Sequence, residues 1–582
     1  MSATTTPPDL FHAILASGSL TWRRWGAAAL DEARTRDLPV LVFAGAALDH
    51  WSAAMAAELV ADHEAGTLID ELFVPVAIEV AGEPALAARV QQALALTADA
   101  SGWPACAFLT PAGQPFGACA FRPLRDRERQ VGLVRILLDV AAAWRERRAD
   151  VQADAARVAA ACRRMAEVTR SDQPLNPDLV LDNAEAQAMA IADTLEGGFG
   201  PPPRHPSPTL LRFLIARCRR PDAPLALARQ VERSLAALVA GACHDQLAGG
   251  FHRACADAAW REPFFEKRLA DQAQLALALF DAADAFGQRL YRDVAERTLR
   301  WCVAALRRED GTYARGLHAD SRGADGVIAP GAAATWTLDE FEAVLGAEGA
   351  ALVARRFGLG DTGHWALAVR EPLADAEASR LPALLQRLAV ARAEREIPLR
   401  DERLDAGAHG ALLAALARAR RQTKPDRELV AAGRALFRTM RRWARVAPFA
   451  IEGVQAVARS TGDLAWVAIG VDAWRGGRPG WTRNWAQDWL QQQYAHCCVA
   501  HDPGRFLIQA GAHALVLDPA AIAIEDSAEG PSGSAVLALA AVQLGRSDQA
   551  AAVIKAYAGL LRRTPLAGSG LCLALDQMLR DG

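Results

Sequence analysis

Between Gly249-Gly250 and an amphipathic stretch around Leu269, the chain gathers His252, Arg253, Asp257, Trp260, Glu266, Lys267 and Asp271. A histidine beside carboxylates supplies the parts for proton transfer, Arg253 could hold an anionic or hydroxylated group, and Trp260 could stack on a ring. The diglycine permits a tight turn, so His252 and Arg253 are expected to project from a loop. Pro263 suits the first turn of a helix, and Phe265, Leu269, Ala276 and Phe280 recur at helical spacing, which sets Glu266 near the helix start. Plain structural roles compete with this reading. Glu266 is electrostatically favourable at a helix N-terminus, and Lys267 with Asp271 is an ordinary i,i+4 pair. His409, on a helix expected to begin near Asp405, is a further candidate acid or base, although a lone histidine on an apolar helix more often serves the core. No phosphate-binding loop or nucleophile elbow accompanies these residues, and Ser532 in PSGSA has no identifiable His/Asp pair.

Elements of two kinds must position them. From about residue 20 to 145 the pattern mixes periods: a helical stretch WGAAALDEARTRDLP, a buried strand PVLVFAG at 39–45, a helix from Asp49, and a strand LFVPVAIEV at 72–80, together a βαβ unit. ACAFLTPAGQPFGACAF at 105–121 reads as two strands joined by a turn, and a helix over about 129–168 closes the domain. Beyond 180 come serial amphipathic helices such as PTLLRFLIARC, FFEKRLADQAQLALALFDAADAF and HGALLAALARARR, which suit a closed toroid of helical hairpins better than a bundle. Short β-like inserts, GTYARGLHADS and GRFLIQAGAHALVL, would be loops at one end of it, and WTRNWAQDWL at 481–490 reads as a helix burying indole. The expected domains are 1–168 and 181–582, joined by a linker at 169–180.

Composition bounds the function. With Lys+Arg 65 against Asp+Glu 68 there is no basic field to neutralise phosphates, so no nucleic-acid partner is expected. No apolar stretch has membrane-spanning length, the N-terminus lacks the pattern of a secretory signal, and the expectation is a cytoplasmic protein without a membrane partner. The 10 cysteines are scattered without a C-x-x-C, so neither a zinc site nor a disulfide framework is expected, and no cofactor is.

Two stretches resemble the halves of a thioredoxin active site. DHWSAAM at 49–55 stands where the redox dithiol would be, and Ser101-Gly102-Trp103-Pro104 stands where such a fold places its cis-proline loop. Asp49 and Ser52 occupy the two cysteine positions, and neither can form a thiolate or a disulfide. Asp49 would instead cap the helix. Together with Trp22, Trp25-Gly26 and FLTPAG at 108–113, these residues resemble the spermatogenesis-associated protein 20-like family, in which a thioredoxin-like domain is fused to a six-hairpin barrel. The barrel half resembles it more closely: Gly197-Gly198-Phe199-Gly200, then DQLAGGFHRACADAAWREPFFEKRLADQAQL at 245–275, with Gly407-Ala408-His409-Gly410 and PSGSA at 531–535 at later motif positions. Where the family carries two tyrosines and a histidine, this chain carries Ala254, Ala270 and Phe264.

The resemblance implies an N-terminal α/β thioredoxin-like domain followed by an all-α six-hairpin toroid. The wider superfamily, which includes N-acylglucosamine 2-epimerases and glucuronyl hydrolases, implies a carbohydrate-type pocket in the barrel. His252, Glu266 and Asp257 are then the candidate acid/base groups, and Asp245, Arg253, Trp260, Lys267, Asp271 and His409 the candidate substrate-binding ones. Asp49, Ser52 and Pro104 form a degenerate redox motif. Two other readings remain: an active sugar isomerase, epimerase or hydrolase using His252 with Glu266 or Asp257, and an interaction scaffold whose thioredoxin-like groove binds a protein partner. His252, Asp257, Trp260 and Glu266 are expected to line one cavity.

Overall fold

The computed structural model describes residues 10–166, 174–323, 325–360, 363–446, 456–457, 460–476, 481–499, 502–506 and 530–581. It forms two units, one chiefly residues 1–169 and the other chiefly 170–454, 462–495 and 525–582.

The first unit holds helices α1 (Leu10–Ala16) and α2 (Ala27–Arg36), strand β1 (Val40–Gly45), helices α3 (His50–Ala61) and α4 (His63–Leu72), strand β2 (Val74–Glu79) and helix α5 (Pro84–Ala98). Strands β3 (Ala105–Leu109) and β4 (Pro115–Ala120) and helices α6 (Leu133–Glu146) and α7 (Arg148–Ala166) follow. The sheet order is β2-β1-β3-β4, with β1 parallel to β2 and antiparallel to β3. Every residue of β1 and β2 is buried, as a strand covered on both faces requires. Alternate side chains serve opposite layers. Leu41, Phe43, Cys106 and Phe108 pack against Phe11 of α1, Met55 of α3, Ile69 of α4 and Leu137 of α6, while Val40, Val42, Val76 and Ala107 pack against Leu30 of α2 and Leu86 and Val90 of α5. The thioredoxin-like expectation therefore holds, with two differences. The helix from Asp49 breaks at Asp62, which caps α4 through the Ala65 N–H at 2.9 Å. The helix expected over 129–168 is two, because Arg147 leaves helical geometry between α6 and α7.

In the second unit, helices pair in chain order: α8 (Pro177–Ala190) with α9 (Pro208–Cys218), α10 (Leu225–Ala240) with α11 (Leu269–Phe286), and α12 (Arg289–Ala305) with α16 (Ala406–Arg420). Next come α17 (Arg427–Val446) with α18 (Thr461–Arg475), α19 (Trp481–Cys497) with α20 (Gly533–Gln543), and α21 (Ser547–Ala556) and α22 (Ala558–Arg563) with α23 (Ser569–Asp581). The second member of each pair belongs to an inner ring. Helix α9 packs on α11, α11 on α16, α20 on α23, and α23 back on α9. The remaining two joints are seen in side chains. Gly410 of α16 meets the backbone of α18 so closely that a Cβ there would lie 2.4 Å from Trp466, and Gln543 of α20 donates to the Ile469 carbonyl of α18 at 3.0 Å. Six inner helices thus close on themselves, which is the expected six-hairpin toroid.

Between α12 and α16 the chain inserts α13 (Leu338–Leu345), α14 (Ala347–Phe357) and α15 (Asp375–Ala393), with a small core of their own around Trp336, Phe341 and Leu388. Short strands mark the end of the barrel where α11 and α16 begin: β5 (Ala254–Cys255) with β6 (Pro263–Phe264), then β7 (Lys267–Arg268) pairing with β8 (Gly316–Leu317), and a hairpin of β9 (Asp320–Arg322) with β10 (Ile328–Pro330). β11 (Arg400–Asp401) completes the β7-β8 sheet. Most of the second expected insert, from 507 onward, lies outside the described residues.

Candidate functional site

At the degenerate redox motif, Asp49 is the N-cap of α3. Its Oδ2 accepts from the Ser52 N–H and from the Ser52 hydroxyl, both at 2.8 Å, while Ser52 Oγ accepts from the Ala46 N–H at 3.1 Å. A carboxylate-hydroxyl pair thus stands where a dithiol would, and it carries no electrons to exchange. The Trp103-Pro104 bond is cis, and Ala105 beside it pairs with Ala44 at the end of β1 that leads to α3. Cys106 and Cys119 face each other across β3 and β4 as buried free thiols. Beside Asp49, Trp51 is 45% exposed, with Phe121 at 4.9 Å between ring centroids.

In the barrel, the residues from 243 to 272 build a stitched corner. Gly249 and Gly250 both adopt left-handed φ, and a Cβ on Gly250 would press on Gln272 and the Trp301 ring, so the turn needs glycine there. Gln272 of α11 clamps the turn, accepting from the Phe251 N–H at 2.6 Å and donating to its carbonyl at 2.7 Å. Asp245 lies at the centre: Oδ2 binds Lys267 Nζ at 2.6 Å and Oδ1 binds Arg392 Nη1 at 2.8 Å. Lys267 also donates to the Gly249 carbonyl at 2.9 Å and stands 4.7 Å from the Trp301 ring centre.

One carboxylate here serves two cations. Burial raises the Asp245 carboxyl, but Arg392 and Lys267 outweigh it and hold it well below the usual range. Burial pushes Lys267 down to about 8, since Asp245 is shared and Arg392 and Arg297 repel the ammonium. His252 is pushed down to about 3, by burial first and then by Lys267. It is neutral, and its Nδ1 contacts the Phe265 carbonyl at 3.0 Å, so that nitrogen carries the proton and donates. A neutral imidazole so hard to protonate is a poor general acid at ordinary pH.

The expected common cavity does not form among the described cavities. His252 and Lys267 border a small one of about 50 Å³. Asp257 instead ties a loop, accepting from the N–H groups of Ala259, Arg261 and Glu262 at 2.8 to 3.0 Å. Trp260 is buried with a positive φ, packed against Gly198 and Gly241, its indole N–H without a hydrogen-bond partner among the described residues. Glu266 is buried in an ion pair with Arg253, whose guanidinium also lies over the Phe264 ring. Pro263 and Glu266 are not in a helix: residues 254–268 form three two-residue strands with a loop between them, Glu266 standing just before the last, and α11 starts only at Leu269. The Lys267-Asp271 pair does not form either, because Asp271 is taken by Arg268 at 2.7 Å. His409 is fully buried, with Nε2 accepting from the Tyr313 N–H at 3.0 Å and Nδ1 against the Asp405 carbonyl at 2.5 Å. Both ring nitrogens serve the backbone. Among the described residues no group of three or more His, Cys, Asp or Glu is placed to hold a metal ion.

A larger cavity of about 1100 Å³ opens beside this corner, between the 261–265 loop, the β9-β10 hairpin and the α13–α15 insert. Its wall includes Arg261, Glu262, Phe265, His364, Trp365 and Arg370. Trp365 is 37% exposed, held by backbone bonds to Trp336 in both directions at 2.8 and 3.0 Å. Phe265 lines this cavity and the small one, so the His252 corner forms its supporting wall. Sequence reasoning passed over Trp365, His364 and Arg370 because they stand in an insert without a motif, and Arg392 because nothing local links it to Asp245.

Residues 11–163 match the family model Thioredox_DsbH, described as a protein of unknown function, DUF255. The chain is 30% identical to spermatogenesis-associated protein 20 of Homo sapiens over 358 residues, covering 59% of this chain and 46% of the human protein. The rat protein of the same name is 29% identical over 336 residues, covering 57% of this chain and 43% of its own length. The matched region thus spans less than half of these relatives. Among solved structures, cellobiose 2-epimerase from Spirochaeta thermophila aligns at TM-score 0.39 and 14% identity, covering 70% of this chain and 98% of that one. A D-mannose isomerase aligns at TM-score 0.27 and 12% identity, covering 58% and 91%. The likeness is loose, and the six-hairpin architecture rests on the closure of the inner ring.

Proposed function

We propose that this relative of spermatogenesis-associated protein 20, built from a Thioredox_DsbH domain and a six-hairpin barrel, is a non-redox protein that binds a carbohydrate-like ligand in the cavity beside Trp365. The observation that carries the reading is the partly exposed Trp365 ring in a concave wall that also presents Arg261, Glu262, His364 and Arg370. An aromatic face with charged hydrogen-bonding edges matches a ligand that has an apolar ring face and hydroxyl groups. The volume, about 1100 Å³, is ample for an oligosaccharide segment. Binding is favoured over catalysis by His252 with Glu266 or Asp257, because all three are committed to carbonyl, guanidinium or backbone N–H partners. Eight of the 10 cysteines are free thiols, which suits a reducing, cytoplasmic setting, and no helix among the described residues is long and apolar enough to cross a membrane.

The test is a panel of mono- and oligosaccharides, scored by thermal shift on the full chain and on Trp365→Ala. A sugar that raises the Tm of the parent protein but not of Trp365→Ala supports the reading. A panel without a hit, or hits that Trp365→Ala binds equally well, rejects it. A second reading, in which the thioredoxin-like unit docks a protein partner, is favoured by exposed Trp51 beside Phe121 and the cis-proline loop. Its test is partner capture that Trp51→Ala abolishes and Trp365→Ala leaves intact.

A further inference from the structure

The inner ring has a second cavity at its other end. About 360 Å³ in volume, it is lined from all six inner helices: Arg212 of α9, Leu277 of α11, Ala414 of α16, Trp466 of α18, Leu539 of α20 and Gln577 of α23. Each stands past the first turn of its helix, and Arg418, Asp472 and Gln543, which also line the cavity, stand in the last turns of α16, α18 and α20, so this cavity lies toward the C-terminal ends of the inner helices, away from the His252 corner.

Its polar groups are unevenly satisfied. Asp281 takes both Arg212 Nε and Arg418 Nη1 at 2.8 Å, and Asp284 takes Arg418 Nη2 at 2.5 Å, so both terminal nitrogens of Arg418 are engaged. Arg212 commits only Nε, leaving its two terminal nitrogens without a recorded partner among the described residues. Arg421, exposed at the rim, donates to the Ala473 carbonyl at 2.8 Å and has no carboxylate partner among the described residues. The lining also holds a carboxylate. Asp472 is buried, only 3% exposed, and Gln543 donates to its Oδ2 at 3.1 Å. Its Oδ1 accepts no hydrogen bond, and the nearest cation, Arg483 Nη1, stays 3.7 Å away. A buried carboxylate oxygen without a donor costs free energy unless something in the cavity supplies one.

We propose that this axial cavity is a second ligand site, distinct from the one beside Trp365, and that it takes a small anionic polyol, a hexose-sized molecule bearing a carboxylate or phosphate together with hydroxyl groups. The anion pairs with the free edges of Arg212 and Arg421, where planar guanidinium forks suit either oxyanion. A hydroxyl donates to Asp472 Oδ1, and Trp466 walls the carbon skeleton. A bare anion would leave Asp472 Oδ1 without a donor and facing like charge, and a neutral sugar would leave the two arginine edges unused.

The experiment uses the full chain with four probes: D-gluconate, glucose 6-phosphate, inorganic phosphate and glucose. Calorimetric titration is run on the parent, Arg421→Gln, Asp472→Asn and Trp365→Ala. Saturable binding of gluconate or glucose 6-phosphate is expected, weakened about tenfold or more by Arg421→Gln and by Asp472→Asn and unchanged in Trp365→Ala. Which anion binds more tightly distinguishes a sugar acid from a sugar phosphate. Phenylglyoxal labelling of Arg421, read by mass spectrometry on the unaltered protein, keeps the test independent of variant folding: the bound polyol anion should protect it. Absence of saturable binding or protection at millimolar probe overturns the proposal. So does inorganic phosphate binding as tightly as the polyol anions, or Asp472→Asn binding them undiminished.

Discussion

Replacing Asp245 with asparagine removes one negative charge and almost nothing else. The amide oxygen can still accept from the Leu247 and Ala248 N–H groups, which Asp245 Oδ1 holds at 3.1 and 3.0 Å, so the turn keeps its local bonds. Lost are the ion pairs at 2.6 and 2.8 Å to Lys267 and Arg392, in a site where all partners are largely buried. Two unit charges 4 Å apart attract by about 4 kcal/mol at an effective dielectric of 20, and stranding a buried cation typically costs about 3–5 kcal/mol. We expect Asp245→Asn to lose that much in urea unfolding at neutral pH. The loss has a ceiling, because Lys267, already pushed down to about 8, would be driven lower and shed its proton. The unfolded lysine keeps its proton to about pH 10, so between the lowered folded value and that limit the unfolded chain binds more protons. The stability of Asp245→Asn should therefore rise with pH from the neutral range upward, more steeply than the parent does, and adding Lys267→Met should remove the rise and recover part of the loss. A loss under about 1 kcal/mol, or pH profiles that run parallel, would refute the idea that this motif carboxylate holds the corner together.

The chain should not catalyse disulfide reduction, since Asp49 and Ser52 form no disulfide; turnover above a no-protein control that survives replacement of Cys106 and Cys119 would overturn this. Gly410→Ala should lower the Tm, because its methyl would sit 2.4 Å from the Trp466 backbone and push α16 from α18, a cost of about 1–3 kcal/mol or more; an unchanged or higher Tm would contradict it. His252, with a folded value of about 3 against about 6.5 unfolded, leaves the unfolded chain binding more protons between those limits, so acid destabilises the fold across that window. His252→Ala should flatten this acid limb while costing roughly 1–3 kcal/mol at neutral pH through the bared Phe265 carbonyl, and an unaltered limb in denaturant titrations from pH 4 to 7 would count against a buried neutral histidine.

The parts legible in the sequence were those governed by local periodicity or by a motif with a backbone purpose. The runs at 39–45 and 72–80 became β1 and β2 because a strand covered on both faces must be continuously apolar, and the apolar stripes beyond 180 became the helices of a ring. Partners across space were not legible. Lys267 reads as an i,i+4 partner of Asp271, yet its carboxylate is Asp245 on the far side of the turn, and the second cation on that carboxylate arrives from α15. His409 looks like a histidine on an apolar helix, and only the neighbouring Tyr313 N–H reveals that its lone pair is occupied.

The same physics explains why so much of the 245–275 segment looks like a reacting constellation. A corner that joins a diglycine turn to short strands and then to an inner helix has many backbone groups with no helix or sheet partner, and those that turn bonds do not satisfy call on side chains. Asp257 answers three N–H groups, Gln272 one N–H and one carbonyl, Lys267 a carbonyl, and His252 another. Acids, amides and a histidine packed at short spacing are what such a corner demands whether or not a substrate is present. The distinguishing mark of a ligand site is the reverse condition, polar groups and ring faces left over after the fold is satisfied. By that measure Asp472 Oδ1 is the place to look, and the cavity beside the partly exposed Trp365 is a second candidate by its shape alone, although neither belongs to the segment that first draws attention.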